Sequence, residues 1–496
     1  LLRVDSSPEP RVRMLETIRE YGLERLAALA ETGAAGQRHA AHCVSVAEQA
    51  APALAGPEAM AWLARLDIEH DNLRAALRWA REQDDGATAL RLAGALWRFW
   101  AQRGLLSEGR QWLREALDLP VDATRISWSA RVSALVGSAV LAIEQAAYEE
   151  ATTRCAQAMD LARAHGQPPD LVATLNTRGL LAREQDSYAA AAGDYQAALS
   201  LARECADGAG EATALLGLAY TALFTGDPAR ASVLAEQSLA VARKLGGAHV
   251  LARVLSLLGW SASNAGNYGK AEALATEALG LFRALGDTGQ QAEMIFLLGT
   301  VAMYAGEHER AAGFFTESLA RRRERGDEHG AATDLGALGG AVLNLDDLPR
   351  ARALIEESLT VACRFGDRWS MAISLTLLGH VELADRDDAR AQARFAEAES
   401  LFEAIGNLMY VPWCLEGLAG VAAAHGRCER AAELDGAGEA LRARIGLLVP
   451  PIHPAGHART MATIRGCLTQ EAFDTARAEG ARRPLQQVIA AALADR

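Results

Sequence analysis

One column of alanines constrains this chain more than any other feature. Ala151, Ala191, Ala231, Ala271, Ala311, Ala351, Ala391 and Ala431 recur at a step of 40 residues without exception. Fifteen residues further on, a second column reads Gly166, Ala206, Gly246, Gly286, Gly326, Gly366, Gly406 and Gly446. A fixed period in this range marks a solenoid, whose units bury their apolar faces only by stacking on neighbours.

Each column has a physical reason. The stretch from His308 to Arg325 carries apolar and small residues at three- and four-residue spacing, which predicts an amphipathic helix. The glycine after it suits the left-handed conformation that closes a helix. In five repeats the next residue is Asp207, Asp287, Asp327, Asp367 or Asn407, whose side chain can accept hydrogen bonds from the first N–H groups of a following helix. A second helix, such as 288–305, then runs to the next turn. Two helices per step with no strand signal in the block predict an all-α fold, an α-solenoid of antiparallel helix pairs.

A third column is small: Ala139, Gly179, Ala219, Gly259, Gly299, Gly339, Gly379 and Ala419. Twelve residues later comes the alanine column, and seven beyond that Ala158, Ala198, Ser238, Ala278, Ser318, Ser358, Ala398 and Gly438. This spacing resembles the tetratricopeptide pattern. The 40-residue step exceeds the usual tetratricopeptide length, so each helix is expected to be about a turn longer.

Outside the block, residues 1–33 read as a short β-hairpin, with Leu2/Val4 and Val12/Met14 alternating around 5–10, followed by a helix ending at Gly33. Residues 34–125 read as a helical linker containing a degenerate opening repeat around Trp97, Gly104, Gly109 and Ala116. Residues 126–446 hold the eight repeats, and 447–496 form a helical tail.

Arg13-Met14-Leu15-Glu16-Thr17-Ile18-Arg19-Glu20-Tyr21, then Trp62-Leu63 with Glu69-His70-Asp71-Asn72-Leu73, resemble the region after the ATPase core in large bacterial ATP-binding transcriptional regulators. These are signal-transduction ATPases with numerous domains, of the LuxR and antibiotic-regulator types. The tail is similar to theirs as well, at Ile445-Gly446-Leu447, prolines 450, 451 and 454, and Glu471-Ala472-Phe473. The resemblance implies that the hairpin is the end of a winged helix and that an ATPase domain precedes this segment. Beginning at Leu1, the chain reads as a piece of such a regulator.

Several chemistries find no support. No GxxxxGK[ST] is present; Gly266-Asn267-Tyr268-Gly269-Lys270 is a turn between repeats, so no cofactor is expected here and ATP is implied only for a longer parent. The net charge of −13 argues against a dominant nucleic-acid surface, and Arg321-Arg322-Arg323-Glu324-Arg325 suits the negative end of a helix. Apolar runs are too short to span a membrane. The seven cysteines are scattered without CxxC spacing and read as free, mostly buried thiols of a cytoplasmic protein. His39, His42 and Cys43 share a helix face without a further metal ligand, and His453 and His457 lie in a proline loop. Gly259-Trp260-Ser261 lacks the second glycine of a nucleophile elbow. No catalytic site is expected.

The inner wall carries more. In a tetratricopeptide array the first helix of each repeat lines the concave side. The corresponding positions include Asn176 and Arg183, then Tyr220, Phe224, Arg253, Trp260, Asn264, Glu293, Phe296 and Tyr304, then Asn344, Thr376, His380, Trp413 and Glu416. Aromatic residues make up only 5% of the chain, yet six fall in this set, five of them between Tyr220 and Tyr304. Aromatic side chains give large contact area at low entropic cost, so this section is the expected binding site for a protein or small-molecule effector. The function that follows is a non-enzymatic sensor arm that relays occupancy to an upstream ATPase switch. The competing reading is a free-standing scaffold for protein assembly.

Overall fold

Each 40-residue step folds as two helices joined by a tight turn. The structure, a computed structural model, describes residues 2–5, 11–14, 16–121, 127–225, 227–406, 408–445 and 449–494. The column residues Gly226, Asn407 and Gly446, and the turn expected at 6–10, lie outside these.

The chain opens with β1 (Leu2–Asp5) and β2 (Arg11–Met14), antiparallel with Leu2 opposite Met14 and Val4 opposite Val12. Then come α1 (Glu16–Ala28), α2 (Thr32–Ala53), α3 (Ala59–Glu82), α4 (Gly86–Arg103) and α5 (Leu106–Asp118). The helix expected to reach Gly33 stops earlier, because Ala30 turns the chain with φ 54° and Gly33 lies inside α2.

The pairs follow: α6 (Trp128–Ile143) with α7 (Tyr148–His165), α8 (Pro168–Glu184) with α9 (Tyr188–Glu204), and α10 (Gly208–Phe224) with α11 (Pro228–Leu245). Next are α12 (Ala248–Asn264) with α13 (Tyr268–Leu285), α14 (Thr288–Tyr304) with α15 (His308–Glu324), and α16 (Glu328–Leu343) with α17 (Leu348–Phe365). Last are α18 (Arg368–Ala384) with α19 (Asp388–Ile405) and α20 (Val411–Ala424) with α21 (Cys428–Ile445). The tail contributes α22 (Pro454–Cys467), α23 (Gln470–Arg482) and α24 (Leu485–Ala494).

The turns between pairs form as their residues dictate. Gly286, Gly326, Gly366 and Gly406 have φ of 67–70°. Asp287, Asp327 and Asp367 then accept from the backbone N–H of Gln290, Gly330 and Ser370 at 2.8–3.0 Å. Gly166 departs from the column with φ −75°, since Pro168 starts the next helix and Asp170 bonds back to the Gln167 N–H at 2.8 Å.

The columns are packing constraints. All eight column alanines are at most 1% exposed. Opposite the glycines of the small column stand large side chains of the second helix. A Cβ on Gly179, Gly339 or Gly379 would lie 2.4–2.8 Å from Tyr195, Ile355 or Phe395. Where serine replaces alanine seven residues on, its hydroxyl is satisfied by the partner helix: Ser318 and Ser358 donate to the carbonyls of Ala292 and Ala332 at 3.0 and 2.7 Å. Burying a side chain such as Phe315 contributes about 1.5–3 kcal/mol, so one such fit per repeat outweighs most surface ion pairs.

The chain divides into two compact units, residues 1–217 with 241–248, and 218–240 with 249–496. In the first, α6, α7 and α8 meet around Ala139, Ala142, Ala151, Cys155 and Leu181. In the second, the first helices α14, α16, α18 and α20 pack side by side, while the second helices α15, α17 and α19 stand further apart. Within this unit the row of first helices is therefore the inner side of the curve.

Candidate functional site

The eight expected site residues all fall in the second unit, on α10, α12 and α14. Trp260 and Phe296, half-buried on adjacent first helices, are brought together with ring centroids 6.0 Å apart. Phe296 also leans on the buried Phe315, at 5.3 Å. Asn264 is buried on the same helix as Trp260, and Arg253 is half-buried two turns before it. Phe224 ends α10 and is 52% exposed, with Tyr220 half-buried one turn earlier.

Glu293 and Tyr304 are engaged in polar contacts within the fold. Glu293 pairs with Arg322 at 2.9 Å, and Arg322 also lies 3.0 Å from Asp327 and 3.1 Å from the fully buried Asp334. Burial pushes the Asp334 carboxyl up to about 7, with Arg322 and the Ser318 hydroxyl opposing. The three carboxylates hold the Arg322 guanidinium protonated although burial works against it. Tyr304 lies 6.3 Å from Tyr268 and hydrogen-bonds the hydroxyl of Tyr410; burial, then the neighbouring tyrosines, hold its own hydroxyl well above the usual range.

Beyond Tyr304 the wall differs from expectation: it is covered rather than open. Thr376, His380, Trp413 and Glu416 are 0–6% exposed. The chain's own segment Val449–His453 lies over this part of the wall. Asn344 Nδ2 donates to the Ile452 carbonyl at 2.9 Å, and Trp413 Nε1 donates to the Pro450 carbonyl at 3.0 Å. Val449 and Ile452 join a buried cluster with Met303, Leu338, Val342 and Trp413, against which Phe296, Tyr304 and Tyr410 also pack. His380 contacts the Trp413 carbonyl at 3.0 Å; burial, then the nearby His453, push its pKa down to about 3. Glu416 pairs with Arg442, and burial raises its carboxyl to about 7 against that pairing.

Sequence reasoning missed Tyr410, Tyr268 and the 449–453 segment. Tyr410 precedes α20 and is off the wall positions, Tyr268 starts a second helix, and Pro450-Pro451 read only as a tail. In the first unit, Asn176 is buried and bonds the Gly210 carbonyl at 3.2 Å, and Arg183 pairs with Glu184.

The cysteine reading needs correction. Cys428 and Cys467 form a disulfide across 39 residues, with Cα atoms 6.2 Å apart, because α22 folds back along α21. Spacing along the chain carried no trace of this. The other five are free, with Cys43, Cys155 and Cys414 buried, Cys205 partly covered and Cys363 exposed. Cys43 lies 3.7 Å from His39 and 3.6 Å from the Asn72 carbonyl. Among the described residues no group of three His, Cys, Asp or Glu could hold a metal, and no helix is long and apolar enough to cross a membrane. In the first unit a cleft of about 560 Å³ is lined by Leu117, Arg131, Arg154, Asp160 and His165, none of them a wall position.

Comparison with known proteins agrees with this geometry. Residues 170–244 and 210–284 match the tetratricopeptide repeat family. Proteins of Mycobacterium bovis and Mycobacterium tuberculosis, provisionally named HTH-type transcriptional regulators, are 32% identical over 180 residues. That alignment takes in 35% of this chain and 20% of theirs, so the chain spans about a fifth of the length of these relatives. Among solved structures, a Rap protein complexed with competence and sporulation factor superposes with a TM-score of 0.57 at 13% identity. It covers 72% of this chain and 99% of the Rap chain, and at that identity the likeness shows the fold alone. Column spacing, helix pairing and these likenesses converge on an α-solenoid of tetratricopeptide-like helix pairs.

Proposed function

We propose that this chain is the effector-binding arm of a bacterial transcriptional regulator, without catalysis of its own, and that occupancy of its inner wall sets an ATPase switch upstream. The observation that carries the reading is the Trp260–Phe296 pair on the inner row, half-buried rather than sealed and flanked by Asn264 and Arg253. Such a patch offers aromatic faces beside polar groups that orient a ligand. The likeness to the mycobacterial regulators and the resemblance around Glu16–Tyr21 and Glu69–Leu73 support placing it in a regulator. The cytoplasm is where such a regulator would work. A ligand shifts the switch only through its difference in affinity for resting and active forms.

The decisive experiment is ATP turnover by the full-length parent with and without effector, in wild type and in Trp260→Ala/Phe296→Ala. The reading expects a response that the double variant loses. Residues 1–496 alone are expected neither to bind nor to hydrolyse ATP, and competable micromolar binding by this fragment would sink that part of it. A gene with no phosphate-loop motif upstream of Leu1 would favour the scaffold reading instead.

A further inference from the structure

The wall residues that hold Val449–His453 bind its backbone as well as its side chains. Asn344 donates to the carbonyl of Ile452 and Trp413 to that of Pro450, two residues apart. In an extended chain, residues two apart face the same way, so this pair of donors is spaced for an extended strand of peptide. Between the two carbonyls sits Pro451, and Pro450 precedes it. Proline has no N–H to satisfy and favours an extended conformation beforehand, so a proline-bearing segment loses little freedom on docking. Val449 and Ile452, 5% and 8% exposed, fill the apolar cluster that Phe296 and Tyr304 also border. The covered section is thus continuous with the half-buried aromatic section.

Departure of the segment would leave one of its two donors paired. The Asn344 amide donates to the Gly340 carbonyl of its own helix at 2.9 Å as well, and keeps that partner when the segment departs. A donor that reads carbonyls accepts any backbone of the same build, so the site does not require the chain's own sequence.

We infer that the inner wall between α14 and α20 is a reader of extended, proline-bearing apolar peptides, with Val449–His453 as its resident ligand in cis and an effector peptide of like chemistry as its displacing partner. This rests on the sensor reading and names the effector class for it.

The test uses residues 1–496 and, as probe, a fluorescein-labelled nonapeptide with the sequence of residues 447–455, read by anisotropy. A resident ligand weakens apparent affinity by the fraction of time that the wall is free. Val449→Asp/Ile452→Asp should therefore bind the probe at least about tenfold more tightly than wild type. Adding Asn344→Ala or Trp413→Phe to that variant should weaken binding again, since each removes a donor to a carbonyl of the segment. A folded double variant that binds the probe no better than wild type overturns the proposal, as does binding indifferent to both donor substitutions. Should the double variant fail to fold, Asn344→Ala in the wild-type chain replaces it. The proposal then expects faster amide exchange at Ile452 and His453 with α14 to α19 unchanged; unchanged exchange at those two amides overturns it. A parent whose ATP turnover ignores every effector would sink the sensor reading while probe binding stood. A folded variant that ignores the peptide would sink the peptide class while leaving a sensor of another ligand.

Discussion

Gly299 and Phe315 meet where α14 crosses α15: a Cβ added to the glycine would lie 2.7 Å from Cε1 of the phenylalanine ring. The glycine is small because the ring opposite is large, and the ring is 2% exposed because the glycine lets it in. Gly299→Ala should cost about 1–3 kcal/mol by overpacking. Pairing it with Phe315→Leu should cost less than the sum of the two single changes, because the crowded ring has gone. Strictly additive denaturant midpoints would show that the contact is not what sets the residue. Ala311→Leu or Ala351→Leu, at fully buried column positions, should cost a similar amount, confined mainly to adjacent repeats.

The turn column makes the opposite prediction. Gly266, Gly306 and Gly426 have φ of 71–83°, and Arg386 holds the same place with φ 65°. A side chain pays for that conformation in sterics, while glycine does not. The exposed Arg386→Gly should therefore gain about 0.5–1 kcal/mol, reduced by the freer unfolded chain. A lower melting temperature for this variant would count against the argument.

Asp334 predicts a pH dependence whose sign is unambiguous. Its carboxyl is raised by burial to about 7, above the roughly 3.9 of an unfolded chain. Between those values the folded state binds the extra proton, so stability falls as pH rises, by up to about 1.4 kcal/mol per pH unit for one group. Glu416, raised to about 7, contributes with the same sign. The difference between wild type and Asp334→Asn isolates the first group. Urea midpoints at pH 5 and pH 7.5 should shift less in the variant; identical shifts would mean that Asp334 is ionised throughout.

If the effector sits on the aromatic section, Trp260→Ala should cost about 2 kcal/mol or more in binding. Its effect on folding should be smaller than that of a core change such as Phe315→Ala, since Trp260 is only half-buried. Calorimetric titration with an identified effector, alongside thermal melts, separates the two. Unchanged affinity in Trp260→Ala/Phe296→Ala would place the site elsewhere.

What could be read in advance follows from what repeats. The alanine, glycine and capping-aspartate columns were legible because each residue meets the same neighbour once per step. Trp260 and Phe296 are 36 residues apart and belong to different columns, so their contact follows from the neighbouring of α12 and α14 rather than from the step itself. The pairing of Glu293 with Arg322 could not be read in advance, because Arg322 belongs to a cluster around Asp334 that does not recur with the step. The cover over Trp413 and the Cys428–Cys467 bond were invisible because the tail that makes them stands outside the period.

The hydrogen bond from Asn344 to Ile452 joins residues 108 apart in the sequence, in a fold whose other contacts are mostly between neighbours. Closing so long a loop costs entropy that only completed helices from α16 to α21 can offset. On this ground the docked segment is predicted to form after those helices, and faster amide exchange at 452–453 than in α16 to α20 would be the check. The repeats beneath it can be complete, and ready, before it arrives.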